Sequence, residues 1–180
     1  AGQPSMPVIR LSIWDADHAT LADVPLKGDL VPSFNSGIEW LPDDRRLIVT
    51  CRQSQWDREA ADRFKTLTTG PVIVHSSKEP FLEWDALRRG LRRRTIAELD
   101  PATGQISPLG PDAMVTSYML VRDGSLVTVL QDVSEKTDYE EIGGTTSDIR
   151  VLPRPAGQGR LVAAGKDLKG LTLRWSDDGR

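Results

Sequence analysis

The stretch "IEWLPDDRRLIVT", Ile38 to Thr50, decides the reading of the fold. An apolar residue and a tryptophan precede a turn on Pro42, Asp43 and Asp44, and an apolar run from Leu47 follows. Short apolar runs on either side of a Pro/Asp turn are the pattern of two antiparallel strands in a hairpin. The outline returns in "SYMLVRDGSLVTV", Ser117 to Val129, with Met119 or Leu120 at the tryptophan position and the turn on Asp123-Gly124. Asp-Gly between apolar runs is the strongest short-range hairpin signal. It returns again in "LTLRWSDDGR", Leu171 to Arg180, as a strand and a turn without the returning strand.

A second kind of hairpin alternates with the first. In "RTIAELDPATGQISPL", Arg94 to Leu109, Pro101 presets the turn and Gly104 can take the left-handed conformation that closes it. "IRLSIWDADHATLADVPL", Ile9 to Leu26, has the same form with Asp15 where Asp100 stands, and "IRVLPRPAGQGRLVAAG", Ile149 to Gly165, is a looser copy. Two hairpins per unit make a four-stranded antiparallel blade. Such a blade is stable when stacked face to face with others around an axis, as in a β-propeller. The expected fold is therefore all-β, a partial β-propeller of four-stranded antiparallel blades with a short helical insertion. One domain covers 1–180, with a blade end at 8–27, a blade at 38–110, a blade at 115–165 and the start of a next blade at 171–180. A β-sandwich with coincidentally similar turns is the competing architecture.

The interval from Leu47 to Leu126 is too long for one propeller blade of about 40–50 residues, and the excess falls in an insertion at 52–93. "SQWDREAADRF", Ser54 to Phe64, sets Trp56, Ala60 and Phe64 on one face of a helix, with Ser54 as its cap. "SKEPFLEWDALRRG", Ser77 to Gly90, has Pro80 near a helix start and Gly90 just past its end, with Phe81, Trp84 and Leu87 as the apolar side. "GPVIVHS", Gly70 to Ser76, reads as a short strand between them. Long insertions in compact domains are often functional, and the expectation here is a docking surface for another domain.

The chain of 180 residues, 38% hydrophobic and 27% charged, is long and apolar enough to bury a core rather than stay disordered. A formal net charge of −3 argues against a general polyanion binder, so no nucleic-acid partner is expected. No apolar stretch approaches the roughly 18 residues of a membrane span, and "AGQPSMP" reads as a trimmed end rather than a leader. The single cysteine, Cys51, lies in the apolar run "LIVTC" and reads as a buried structural thiol. The compartment stays open.

Candidate sites are few. "RRGLRRRT", Arg88 to Thr95, carries five arginines without interleaved aromatics. It reads as an ion-paired edge that discourages sheet aggregation, with an anion site as the alternative. His18 reads as solvated. His75 is followed by Ser76, but strand neighbours point to opposite faces, so adjacency alone does not pair them. The chain has no Gly-x-Ser-x-Gly elbow, phosphate loop, dinucleotide fingerprint or zinc spacing, so neither catalytic residues nor a cofactor or metal is expected. The aspartates of "DADH" and "DDGR" read as turn residues rather than calcium ligands. In "KTDYEEIGGTTSDIR", Lys136 to Arg150, Glu140 and Glu141 could bind a substrate's amino terminus, because paired carboxylates in a shielded cavity favour a cation. The alternative is an exposed loop before Gly143-Gly144.

The Trp-Leu/Ser-Pro/Asp-Asp hairpins, the "LDPATG" turn and "RFKTLTTGPVIVHSSKEPFLEWDALRRG" (Arg63 to Gly90) resemble the propeller region of bacterial serine peptidases of the prolyl oligopeptidase family. "EKTDYEEIGGTTSDIRVLP" (Glu135 to Pro153) and "LKGLTLRWSDDGR" (Leu168 to Arg180) resemble the same region. The resemblance implies a propeller over a C-terminal α/β-hydrolase domain of the same protein, which carries a Ser-Asp-His triad. The propeller caps the cavity, admits peptide substrate and keeps folded proteins out. No triad member falls on a position of this chain. In the exopeptidase branch a propeller glutamate pair holds the substrate amine; "DYEE" is similar to that motif, and the following "IGGTT" departs from it. The chain alone is then expected to lack peptidase activity, with Leu171 to Arg180 as the first strand of a blade continued beyond Arg180. The competing function is a non-enzymatic propeller scaffold for protein partners, which a downstream Gly-x-Ser-x-Gly elbow followed by Asp and His would exclude.

Overall fold

The computed structural model describes residues 9–33, 36–69, 76, 78–90, 92–137, 145–165 and 174–176. The fold is mostly β and its strands pair antiparallel. A separate hairpin joins β1 (Ser12–Asp15) to β2 (Thr20–Asp23). Then β4 (Ile38–Trp40), β5 (Leu47–Gln53), β6 (Arg93–Asp100) and β7 (Gln105–Pro108) pair in chain order. So do β8 (Ala113–Leu120), β9 (Leu126–Asp132), β10 (Ser147–Pro153) and β11 (Arg160–Ala163).

Two pairings go beyond the sequence expectation. Strand β3 (Leu30–Pro32) lies on β5 beyond the end of β4, opposite Cys51–Gln53. The other joins the two runs of strands into one nine-stranded sheet. Because β7 occupies only Ala97–Asp100 of β6, the free edge at Arg93 and Arg94 takes Met114 and Ala113 of β8. Among the described residues no sheet closes on itself.

The repeated turns match at the level of single hydrogen bonds. Leu41 and Val121 donate their N–H to the carbonyls of Arg46 and Leu126, and Asp44 and Gly124 donate back to those of Leu41 and Val121. Asp44 and Gly124 both adopt positive φ, 52° and 72°. Asp43 Oδ1 accepts the N–H of Arg45 at 3.0 Å, and Asp123 Oδ1 accepts that of Ser125 at 2.8 Å. In the other hairpin type, Asp15 and Asp100 each accept the N–H groups two and three residues on. Each is followed four residues later by a left-handed residue, Ala19 or Gly104. Gly104 has a second reason: a Cβ there would lie 1.8 Å from the Pro25 carbonyl oxygen, where the β1–β2 hairpin comes down on β7. The β10–β11 connection is built differently, around a cis Arg154–Pro155 bond.

Strand alternation sorts β5 and β6 onto two faces. Leu47, Val49, Cys51, Ala97 and Leu99 face one way and are covered by Val24 and by Leu11, Ile13 and Leu26 around the first hairpin. Ile48 and Ile96 face the other way, against Val115, Val127, Val129 and Leu152 of the second run. Both faces are therefore dry: Val49 and Ile48 are each 0% exposed.

An ion triad pins the second interface. Glu98 of β6 accepts from Arg46 Nη1 at 2.8 Å and from Arg154 Nε at 2.7 Å. Arg154 also donates to the Gly124 carbonyl, so one carboxylate links the 41–46 turn, the 121–126 turn and the end of β10.

The insertion folds as α1 (Trp56–Thr68) and α2 (Glu83–Gly90). Three expectations need correction. Ser54 is not the cap of α1; its N–H is spent on the Asp29 carbonyl beside β3, and Gln55 stands at the N-cap without a side-chain bond. Helix α2 starts at Glu83, so Phe81 lies outside it, because Thr137 accepts the Leu82 N–H and donates its own N–H to the Pro80 carbonyl. Gly90 is its last residue rather than the one beyond. The expected strand at Gly70–Ser76 lies outside the described residues except for Ser76, as does Leu171–Arg180 except for Arg174–Ser176.

Replacing Glu98 with alanine leaves the buried Arg154 guanidinium without its carboxylate, while the half-exposed Arg46 keeps Asp43. The expected loss is about 3 kcal/mol of unfolding free energy, read as a lower urea midpoint.

Candidate functional site

The sequence places its one explicit pair of site residues, Glu140 and Glu141, in a segment outside the described residues, and His75 is outside them as well. The residues on either side of the first segment are described. Thr137 and Thr145 both border a narrow cleft with Arg88, Arg89 and Arg92. Thr137 and Thr145, the described residues that flank the glutamates in sequence, therefore both lie at the arginine-rich end.

That end is an ion-paired edge. Arg88 pairs with Asp85 at 2.5 Å and Arg93 with Asp112 at 2.6 Å. Arg89 reaches both oxygens of Asp132 at 2.8 Å, with Arg92 at 3.8 Å from the same carboxylate. Asp132 ends β9 and its side chain is 0% exposed. Burial pushes its pKa up, but the Ser134 hydroxyl, the Ser134 N–H and the Arg89 guanidinium outweigh it and hold the carboxyl below its ordinary value. Arg89 also stacks over Phe81, 4.4 Å from the ring centroid, so the residue displaced from α2 still packs against that helix. Arg94 differs from its neighbours: burial, with help from the nearby charges of Arg52 and Arg92, lowers its pKa.

Other candidates sort quickly. Cys51 is buried and its thiol is pushed up to about 12 by burial, which removes the thiolate a nucleophile needs. His18 is exposed, with Nδ1 2.8 Å from Asp15 Oδ2. Among the described residues no group of three or more His, Cys, Asp or Glu side chains is placed to hold a metal.

A cavity of about 540 Å³ opens between the two runs of strands. Its apolar wall includes Ile96, Val115, Val129 and Leu152, and its polar side chains are Asp112, Gln131, Arg150 and Gln158. Arg150 was not singled out by sequence reasoning. In "DIRVLP" it reads as an ordinary polar residue between apolar ones; alternation puts it on the face of Leu152, and only the pairing of Arg150 with Val129 shows that this face is turned toward the first run of strands. A charge at an inward strand position was the available signal, and using it required knowing the register.

A scan against protein-family models and a search of curated proteins give no match to this chain.

The lowered pKa of Asp132 fixes the sign of a pH effect. Its contribution is complete above the unfolded carboxyl value near pH 4 and is lost as pH falls through the lower folded value. Asp132→Asn should cost on the order of 3 kcal/mol at pH 7 by leaving Arg89 unpaired, and should flatten this part of the acid dependence. Urea unfolding of both proteins between pH 7 and pH 2 reads both effects.

Proposed function

We propose that this chain is the non-catalytic propeller portion of a serine peptidase of the prolyl oligopeptidase type. In this role it caps the active site of an α/β-hydrolase domain and admits peptides by size. The observation that carries the architectural half is the burial of β5 and β6 on both faces, by the β1–β2 hairpin on one and by β8–β10 on the other. A two-sheet sandwich buries one face of each sheet, whereas a blade inside a propeller buries both. The bond-by-bond match of the Asp43 and Asp123 turns, and of the Asp15 and Asp100 turns, supports a repeated unit. The peptidase half rests on the sequence resemblance over the insertion and the 135–153 stretch.

A non-enzymatic scaffold is the second reading, and the insertion favours it. Helix α1 has no buried residue among its described side chains, and its Phe64, 48% exposed, sits edge-on to Trp84 at 5.7 Å. An aromatic pair held out on a thin support suits contact with another protein surface.

A fluorophosphonate probe applied to the intact protein from its native source separates the two. The peptidase reading expects covalent labelling of one serine outside residues 1–180, with hydrolysis of short peptides but not of folded proteins. An unlabelled protein overturns it and leaves the scaffold.

A further inference from the structure

We propose that the cavity between the two strand runs is a binding site for a small aliphatic carboxylate whose nitrogen is acylated, such as the C-terminal residue of a peptide. The inference rests on the cavity alone and does not depend on the peptidase reading.

Size comes first. Voids in protein interiors rarely exceed a water molecule, and about 540 Å³ falls within the roughly 300–1,000 Å³ of small-molecule sites. The wall is aliphatic, so what enters must carry an aliphatic group. The dry packing beside it is complete, with Val127 at 0% and Ile96 at 2% exposure, so the space is local rather than a general looseness of the interface.

The charges then select the head group. Asp112 is engaged by Arg93 at 2.6 Å. Among the described residues the ion-pair partner of Arg150 is Asp148, at 3.8 Å, and that carboxylate also accepts the Gly165 N–H at 2.9 Å. The Arg150 Nε is sealed from solvent with no hydrogen-bond acceptor, while the side chain as a whole remains 38% exposed. Because its contact with Asp148 is long and the side chain is partly open, the Nη end of the guanidinium remains available to a further acceptor. A carboxylate matches that planar cation in charge and geometry.

The same balance disfavours a free amine. Asp112, the one carboxylate among the described lining residues, already has its charge matched by Arg93 at 2.6 Å, so an α-ammonium group would compete with that guanidinium, and burying the cation unpaired is costly. An amide nitrogen carries no such charge, and the Gln131 side chain in the wall can serve it as donor or acceptor. The preferred ligand is therefore apolar in its side chain, anionic at one end and neutral at its nitrogen.

The test is calorimetric titration of the protein with three probes: N-acetyl-L-leucine, N-acetyl-L-leucinamide and L-leucine. The proposal expects saturable one-site binding of N-acetyl-L-leucine. The amide, which lacks the anion, and free leucine, which adds the cation, should each bind at least tenfold more weakly. Arg150→Gln should reduce N-acetyl-L-leucine binding at least tenfold, and Ala113→Phe, which fills the cavity from its rim, should abolish it. Absence of saturable heat with N-acetyl-L-leucine, or equal binding of acid and amide, overturns the proposal. These two outcomes are read on the unmodified protein, so a variant that fails to fold does not rescue it.

Discussion

The structure depends on the dry contact between β5–β6 and β8–β10, and on the Glu98 carboxylate placed at its margin. Ile48 and Ile96 meet Val115, Val127, Val129 and Leu152 there, and removal of this apolar surface from water drives the two runs together. Apolar contact is non-directional and would tolerate sliding. Glu98 supplies the direction, because its two oxygens are taken by Arg46 and Arg154 from different parts of the chain. A buried carboxylate with one arginine would be a poor bargain against its desolvation; with two it keeps both oxygens satisfied.

The long insertion does not separate β5 from β6, because these strands are already paired over Leu47–Cys51 and Thr95–Leu99 on either side of it. What the insertion adds is a second tie to the later strands. Helix α2 reaches β9 through Arg89 and Asp132, and the segment after β9 reaches back to Pro80 and Leu82 through Thr137. The helical excursion is thus fastened to the second run of strands, while α1 is held mainly by α2.

The cavity has a geometric origin in the same arrangement. Strand β8 is hydrogen-bonded to the edge of β6 only at Arg93 and Arg94, and farther along it packs against the face of the first run. A chain that passes from edge pairing to face packing turns a corner, and side chains of ordinary length leave a wedge there. Ile96 and Ala113 lie beside that corner and both line the cavity.

The local order was legible from residues alone. Each of the five hairpins falls where an Asp, Pro or Gly turn interrupts an apolar run, since turn chemistry and strand alternation act over a few residues. The buried thiol of Cys51 and the ion-paired arginines were legible for the same reason. Strand β3 was not, because three residues on the edge of a neighbour carry no pattern of their own. The start of α2 was not, because a hydroxyl 55 positions away caps it. The inward place of Arg150 was not, because alternation says which residues share a face but not which face is covered. Sequence determined the turns, the alternation and the order of hairpins. Only the tertiary structure decided which faces became dry, how the two runs joined at Arg93 and Arg94, and where a charged side chain came to border an apolar cavity, since each of these depends on contacts between residues far apart in the chain.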